Sequence, residues 1–175
     1  MRLDSIYTSD KDCHGSQEVS DMVEIVEATT DEHYRQARLL IEEYAHFLGF
    51  DLEFQGFSRE LASLAKIYSP PKGAMLMVRS DTAFVGCVGL RDLSEGFAEM
   101  KRMYIQPAFQ GKGFGRLLLE AFISKARELR YKAIRLDTVP ALDRALVLYR
   151  QYGFSEIASY RYNPAPDAIF MELKL

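Results

Sequence analysis

Gln110-Gly111-Lys112-Gly113-Phe114-Gly115 lies between a strand-like run ending at Ile105 and an amphipathic stretch beginning near Arg116. Three glycines at alternate positions leave main-chain amides uncovered by side chains. Where such a loop opens a helix, its N–H groups converge on one spot and the positive end of the helix dipole adds to them. The stretch therefore predicts a seat for a phosphate or pyrophosphate at a strand-to-helix turn. A tight turn that holds no ligand has the same local pattern, so the flanking sequence has to decide. Two other glycine loops fit poorly. A P-loop needs Ser or Thr directly after Gly-Lys, and Gly113 stands there. A dinucleotide fingerprint has the spacing G-x-G-x-x-G with an acidic residue about twenty positions on. Here the spacing is G-x-G-x-G, and Arg135 stands near the acidic position with Asp137 close by.

Working outward, Phe97 to Ile105 reads as the strand entering the loop. The helix leaving it runs to about Leu129, with Leu118, Phe122, Ala126 and Leu129 on one face. Ala133 to Thr138 follows as a strand. Leu142, Ala145, Leu146, Tyr149 and Tyr152 form a last helical stripe, stopped by Gly153. Ser155 to Arg161 and Ile169 to Leu173 read as closing strands. Upstream, Val23 to Ala28 is a short strand, and Thr30 is placed to cap a helix with apolar positions at Ala37, Leu40, Ile41, Tyr44, Ala45 and Leu48. Phe57, Leu61, Leu64, Ala65 and Tyr68 predict a second helix, ended by Ser69-Pro70-Pro71-Lys72-Gly73. Ala74 to Val78 and Ala83 to Leu90 predict two strands joined at Ser80-Asp81. The expected architecture is α/β (α+β), a mostly antiparallel mixed sheet of about six to seven strands with a strand–helix–strand unit at its centre and about four helices on both faces. Residues 1–20 are polar without periodicity and read as a flexible N-terminal tail before a single domain over 21–175.

Composition narrows the function. The chain has 175 residues, 48% of them apolar, which suits one globular domain with a substantial core. A net charge of −3 argues against nucleic acid or an anionic membrane as partner, while leaving room for one local basic pocket. Cys13 and Cys87 sit in unlike settings and imply no disulfide framework. No basic leader or spanning apolar run is present, so the expected location is the cytoplasm. His14, His33 and His46 lack metal-ligand spacing, and no metal is expected.

Gln110-x-x-Gly113-x-Gly115, preceded by Met103-Tyr104-Ile105-Gln106-Pro107, resembles the pyrophosphate-binding motif of the GNAT superfamily of acetyl-CoA-dependent N-acetyltransferases. Ala145-x-x-Leu148-Tyr149-x-x-x-Gly153-Phe154 resembles that superfamily's second signature, in the expected order and separation. The resemblance covers roughly Val23 to the C-terminus. It implies the GNAT acyl-CoA N-acyltransferase fold and acetyl-CoA as cosubstrate. Met103, Tyr104 and Ile105 become the splayed strand that hydrogen-bonds the pantetheine arm. The amides of Gln110, Gly111, Lys112, Gly113, Phe114 and Gly115 become the pyrophosphate cradle. Lys112 and Arg116 are placed to add charge to the phosphates, although two solvated basic residues would look the same.

The resemblance also implies chemistry. Transfer to an amine needs a proton acceptor for the amine, a donor for the leaving thiolate and a hydrogen bond to the thioester oxygen. Tyr149 stands where the family's general acid stands; its face of the helix is equally that of a core tyrosine. Glu99 is the expected base, at a position where many relatives carry a glutamate acting directly or through water. Simple alternation puts Glu99 on the same face as Met103 and Ile105, which implies either a partly buried carboxylate, with its pKa raised towards a useful value, or an intervening β-bulge; a surface strand glutamate is the other reading. Leu142 replaces the asparagine that in many relatives contacts the pantetheine arm. Tyr160, Arg161, Tyr162 and Asn163 form a polar aromatic cluster suited to an acceptor pocket or to a solvated loop. The implied activity is direct acetyl transfer, in a ternary complex, to a primary amine of a small or amino-acid-like acceptor. A silent acyl-CoA-binding domain and a protein- or peptide-directed acetyltransferase are the alternatives, and a homodimer is open.

Overall fold

The computed structural model describes residues 22–49 and 51–175; the expected tail over 1–20 lies outside them. Seven strands form one sheet: β1 (Val23–Glu27), β2 (Ala74–Ser80), β3 (Ala83–Asp92), β4 (Phe97–Ile105), β5 (Ala133–Thr138), β6 (Ser155–Ile157) and β7 (Ile169–Lys174). Their order is β1-β2-β3-β4-β5-β7-β6, antiparallel throughout except for the β4–β5 pair. Five helices accompany them among the described residues: α1 (Asp31–Leu48), α2 (Phe57–Leu61), α3 (Leu64–Ile67), α4 (Phe114–Glu128) and α5 (Asp143–Gln151). The mixed α/β sheet, with β4-α4-β5 as the parallel crossover at its centre, agrees with the architecture expected from sequence.

The helices form where local chemistry favours them. Thr30 Oγ1 accepts from His33 N at 3.2 Å and caps α1, an interaction worth about 1 kcal/mol. The stripe Leu118, Leu119, Phe122, Ile123 and Ala126 of α4 is buried against one sheet face, on Leu76, Val78, Val88, Leu90, Ala98, Met100 and Ile134. Ala37, Leu40 and Ile41 of α1 pack the other face with Leu64, Tyr68, Met75, Met77 and Cys87.

Two expectations need correction. The helix expected over 57–68 is broken into α2 and α3, with Ala62 and Ser63 outside both. The break sets Glu60 inward, where its carboxylate takes the hydrogen bonds described below. The strand expected over 155–161 stops at Ile157, because Tyr160 and Arg161 leave the ladder to reach carboxylates on β4 and β5.

Strand β4 contains the irregularity that shapes the site. Cys87 pairs with Tyr104 and Gly89 with Lys101, so Arg102 and Met103 together oppose Val88. Arg102 has φ +57°, a left-handed conformation unusual for a non-glycine residue. This is a β-bulge, which switches side-chain parity along the strand. Before it, Ala98 and Met100 face α4; after it, Met103 and Ile105 do. Glu99 therefore faces away from Met103 and Ile105. Of the two explanations open from sequence, the bulge is present, and Glu99 is also fully buried. The strained residue is held by a bidentate pair: Arg102 Nε donates to Glu60 Oε1 at 3.0 Å and an Arg102 terminal nitrogen donates to Glu60 Oε2 at 2.7 Å.

Candidate active site

The glycine loop presents six successive amides. Helix α4 makes its first hydrogen bond from Leu117 N to the Gly113 carbonyl. Among the described residues, the N–H groups of Gly111, Lys112, Gly113, Phe114, Gly115 and Arg116 have no main-chain acceptor. Gly111 and Gly113 adopt φ +79° and +86°, and a Cβ added to either meets nothing within 4 Å. Such a conformation aims consecutive amides outward into open space, and L side chains disfavour it. Gln110 differs from expectation. Its N–H is taken by the Pro107 carbonyl at 3.3 Å, and its side-chain amide donates to the Ile105 carbonyl at 2.9 Å. Gln110 thus fastens the loop to the end of β4, and the cradle runs from Gly111 to Arg116. Lys112 and Arg116 are exposed at its rim, with Lys112 Nζ 5.0 Å from the Phe109 ring centre.

The loop opens onto a splay in the sheet. Parallel pairing of β4 with β5 covers only Phe97–Glu99 against Ala133–Arg135. Beyond that, the edge of β4 from Met100 to Ile105 parts from β5, leaving the Met103-Tyr104-Ile105 backbone facing a gap. Helix α5 places Tyr149 in it. Tyr149 is 6% exposed, and its hydroxyl lies 3.6 Å from Met103 Sδ. Burial pushes the Tyr149 phenol well above its ordinary pKa, so it enters any reaction at neutral pH with its proton in place. Tyr104 points the other way, towards α1, where its hydroxyl and the Gln106 side chain both donate to Glu43, at 2.9 and 2.7 Å.

On the α1 side of the splay the sheet is charged. Glu99 Oε2 accepts from Arg91 Nε at 2.6 Å; Oε1 accepts from the Tyr160 hydroxyl at 3.0 Å and pairs with Arg161 at 3.2 Å. Both oxygens are engaged, by two guanidiniums and a phenol. Burial, and then the Glu99 charge, raise the Tyr160 phenol. Arg161 also donates to Asp137 Oδ1, and Asn163 Nδ2 donates to Asp137 Oδ2 at 2.7 Å. Burial alone would raise the Asp137 carboxyl, but Lys101 and Arg161 outweigh it and hold it below the usual range. Lys101 Nζ donates to Gln55 Oε1 at 2.5 Å and stands 4.0 Å from Asp137. Burial, reinforced by Arg102 and Arg161, pushes the Lys101 pKa down to about 7. A cleft lined by Tyr44, Gln55, Lys101, Asp137, Thr138 and Asn163 runs through this region to the splay.

Three of the four residues in the late polar cluster thus reach the site: Tyr160, Arg161 and Asn163. Tyr162 is 78% exposed. Sequence reasoning missed Lys101, Asp137 and Thr138. Their signal was diluted, because the same strands also carry Glu99, Arg102 and Arg135, and no single charged position stands out. Leu142, where an asparagine was noted as missing, lines the cleft as an apolar wall.

Open loop amides, a splayed parallel strand pair and a buried phenol thus meet at one place. Residues 35–154 match the family model described as the Acetyltransferase (GNAT) family, and the chain belongs to that family of N-acetyltransferases. It is 37% identical over 141 residues to an uncharacterized N-acetyltransferase of Schizosaccharomyces pombe, covering 79% of this chain and 86% of that one. It is 36% identical over 138 residues to the IAA acetyltransferase of Azospirillum brasilense, covering 78% and 88%. The fold matches that of the PaiA N-acetyltransferase of Thermoplasma acidophilum in complex with coenzyme A, with a TM-score of 0.68 and 19% identity over 88% of this chain and 99% of that one. No helix among the described residues is long and apolar enough to cross a membrane.

Proposed function

We propose that the chain transfers the acetyl group of acetyl-CoA to a primary amine of a small or amino-acid-like acceptor, directly and within a ternary complex. The observation that carries this reading is the run of free amides from Gly111 to Arg116 at the mouth of the β4–β5 splay. The pyrophosphate lies on those amides, with Lys112 and Arg116 at its rim, and the pantetheine arm follows the open edge of Met103-Tyr104-Ile105 towards Tyr149. The acceptor enters from the α1 side through the charged cleft.

In this reading the amine nitrogen forms a bond to the thioester carbon, the C–S bond breaks, and its electron pair leaves on sulfur. Tyr149 gives its proton to that sulfur and is reprotonated from water. Glu99, expected as the base, serves best as a positioning residue, because both its oxygens are already taken by Arg91, Arg161 and the Tyr160 hydroxyl. It orients Arg161 and Tyr160, and the amine proton passes to solvent at the cleft mouth. Alignment supplies most of the remaining rate.

The test is thiol release from acetyl-CoA over a panel of amines, amino acids and peptides, with coenzyme A binding followed separately by calorimetry. Release with small amines or amino acids supports the reading. Tight coenzyme A binding without release for any acceptor favours a silent binding domain, and release with peptides alone favours a protein-directed enzyme.

A further inference from the structure

The α1 side of the splay gathers charges of both signs: Lys101, Arg102, Arg91 and Arg161 face Glu60, Glu99 and Asp137, with Glu43 of α1 nearby on Tyr104 and Gln106. Each arginine has a direct ion pair: Arg102 with Glu60, Arg91 with Glu99, and Arg161 with Asp137 and Glu99. Lys101 is the one left over. Its side chain is 4% exposed, and the nearest carboxylate oxygen, at 4.0 Å, already accepts from Arg161. Its hydrogen-bond partner is a neutral amide, Gln55. A buried ammonium without a direct counter-ion is costly, and only one of its three donors is used here.

A second observation points the same way. Thr138 is 8% exposed, lines the same cleft, and its Oγ1 has no hydrogen-bond partner among the described residues. Buried hydroxyls normally find one. Arg161 Nε is likewise buried without an acceptor. The cleft therefore presents an ammonium without a close counter-ion and, beside it, an unused hydroxyl. What completes such a site is an anion with acceptor oxygens.

We propose that the acceptor is an amine that also carries a carboxylate, of the amino-acid class. Its carboxylate sits against Lys101 Nζ and Thr138 Oγ1, and its amino group is turned towards Tyr149. This rests on the transferase reading and names its acceptor class. The carboxylate pairs with the Lys101 ammonium and takes the free donors. Burial first, and then Arg102 and Arg161, depress the proton affinity of Lys101 in the ligand-free protein.

The experiment compares carboxylate with amide on one scaffold. The twenty amino acids and their α-amides are titrated by calorimetry into protein saturated with coenzyme A, and thiol release from acetyl-CoA is measured for the same compounds. At least one acid should bind tenfold or more tightly than its amide. That preference should vanish in Lys101→Met, shrink in Thr138→Val and persist in Lys101→Arg. The proposal is overturned if no acid outcompetes its amide in the unaltered protein, a comparison needing no variant, or if the preference survives undiminished in Lys101→Met. Binding and release report separately: an acid that binds with the stated preference but is never acetylated leaves the anion site standing and removes the transferase reading.

Discussion

The two halves of this site are built in opposite ways. The glycine loop is local: six consecutive residues supply the amides, and the only long-range requirement is that a helix follow a strand. The charged cleft is assembled from α1, the turn at Gln55, β4, β5 and the irregular segment after β6, and its chemistry lies in side chains. A backbone site tolerates change in side chains but not in backbone conformation. A side-chain site behaves the other way, and each half can therefore be broken without the other.

The sharpest separation comes from the residue between them. Tyr149→Phe removes one hydroxyl and leaves the packing against Phe154 and Met103. A positioned acid is worth about 100- to 10,000-fold in rate, so kcat should fall by that order while coenzyme A affinity changes less than about threefold. Single-turnover kinetics and calorimetry on the same preparation decide it. Unchanged turnover would return Tyr149 to the status of a core residue.

Next in size is the support of the cleft. Glu60 accepts from Arg102 twice and from the Tyr68 hydroxyl at 2.7 Å, all three groups being buried. Burial alone would raise the Glu60 carboxyl, but Arg102 and Tyr68 outweigh it and lower it. Glu60→Gln leaves the Arg102 charge uncompensated and should destabilise the protein by about 3–5 kcal/mol, visible in urea unfolding. Because Arg102 is the bulge residue, the same variant should weaken acceptor binding more than coenzyme A binding. Equal loss of both would mean that the cradle and the cleft are not independent.

A smaller effect tests the cradle alone. Gly113→Ala puts a side chain at φ +86°, costing about 1 kcal/mol in backbone strain. Since a Cβ there meets no protein atom, the loss should appear in coenzyme A affinity, about tenfold, with acceptor KM nearly unchanged. An unaltered affinity would show that these amides do not hold the diphosphate.

This contrast also explains what the sequence made legible. The strand-loop-helix order, the stripes of α1 and α4, and β5 over Ala133–Thr138 follow from periodicity and were read from it. Glu99 was placed by alternation, and alternation fails at Arg102, where a non-glycine residue takes φ +57°. That conformation is sustained by Glu60, forty-two positions away in sequence, so no local pattern announces it. Arg161 was noted in a polar cluster, yet its attachment to Glu99 and Asp137 depends on the chain abandoning β6 after Ile157. Lys101 drew no reading from sequence, and Asp137 drew one only as a neighbour of the poorly fitting dinucleotide position. Only the β4–β5 splay shows them facing one cleft.

The last effect is one of slope. Lys101 has a folded pKa of about 7, far below the value of about 10.4 for an unfolded lysine. Between those values the unfolded chain binds more protons than the folded one, so this residue makes stability rise with pH from about 7 to about 10.4. Below 7 both states carry the charge and its burial cost is constant. Lys101→Met removes the titration. Relative to the parent, the variant should be stabilised at pH 6 to 7, and the stability gained by the parent on going to pH 9 should be largely absent. The slope at stake is at most about 1.4 kcal/mol per pH unit. Asp137 retains Arg161 and Asn163 in the variant, so the cleft keeps its walls while losing the Lys101 charge. Chemical denaturation at pH 6.5 and pH 9 measures the difference. Parallel stability curves for the two proteins would mean that Lys101 keeps an ordinary pKa, and that its burial in the cleft does not penalise its charge.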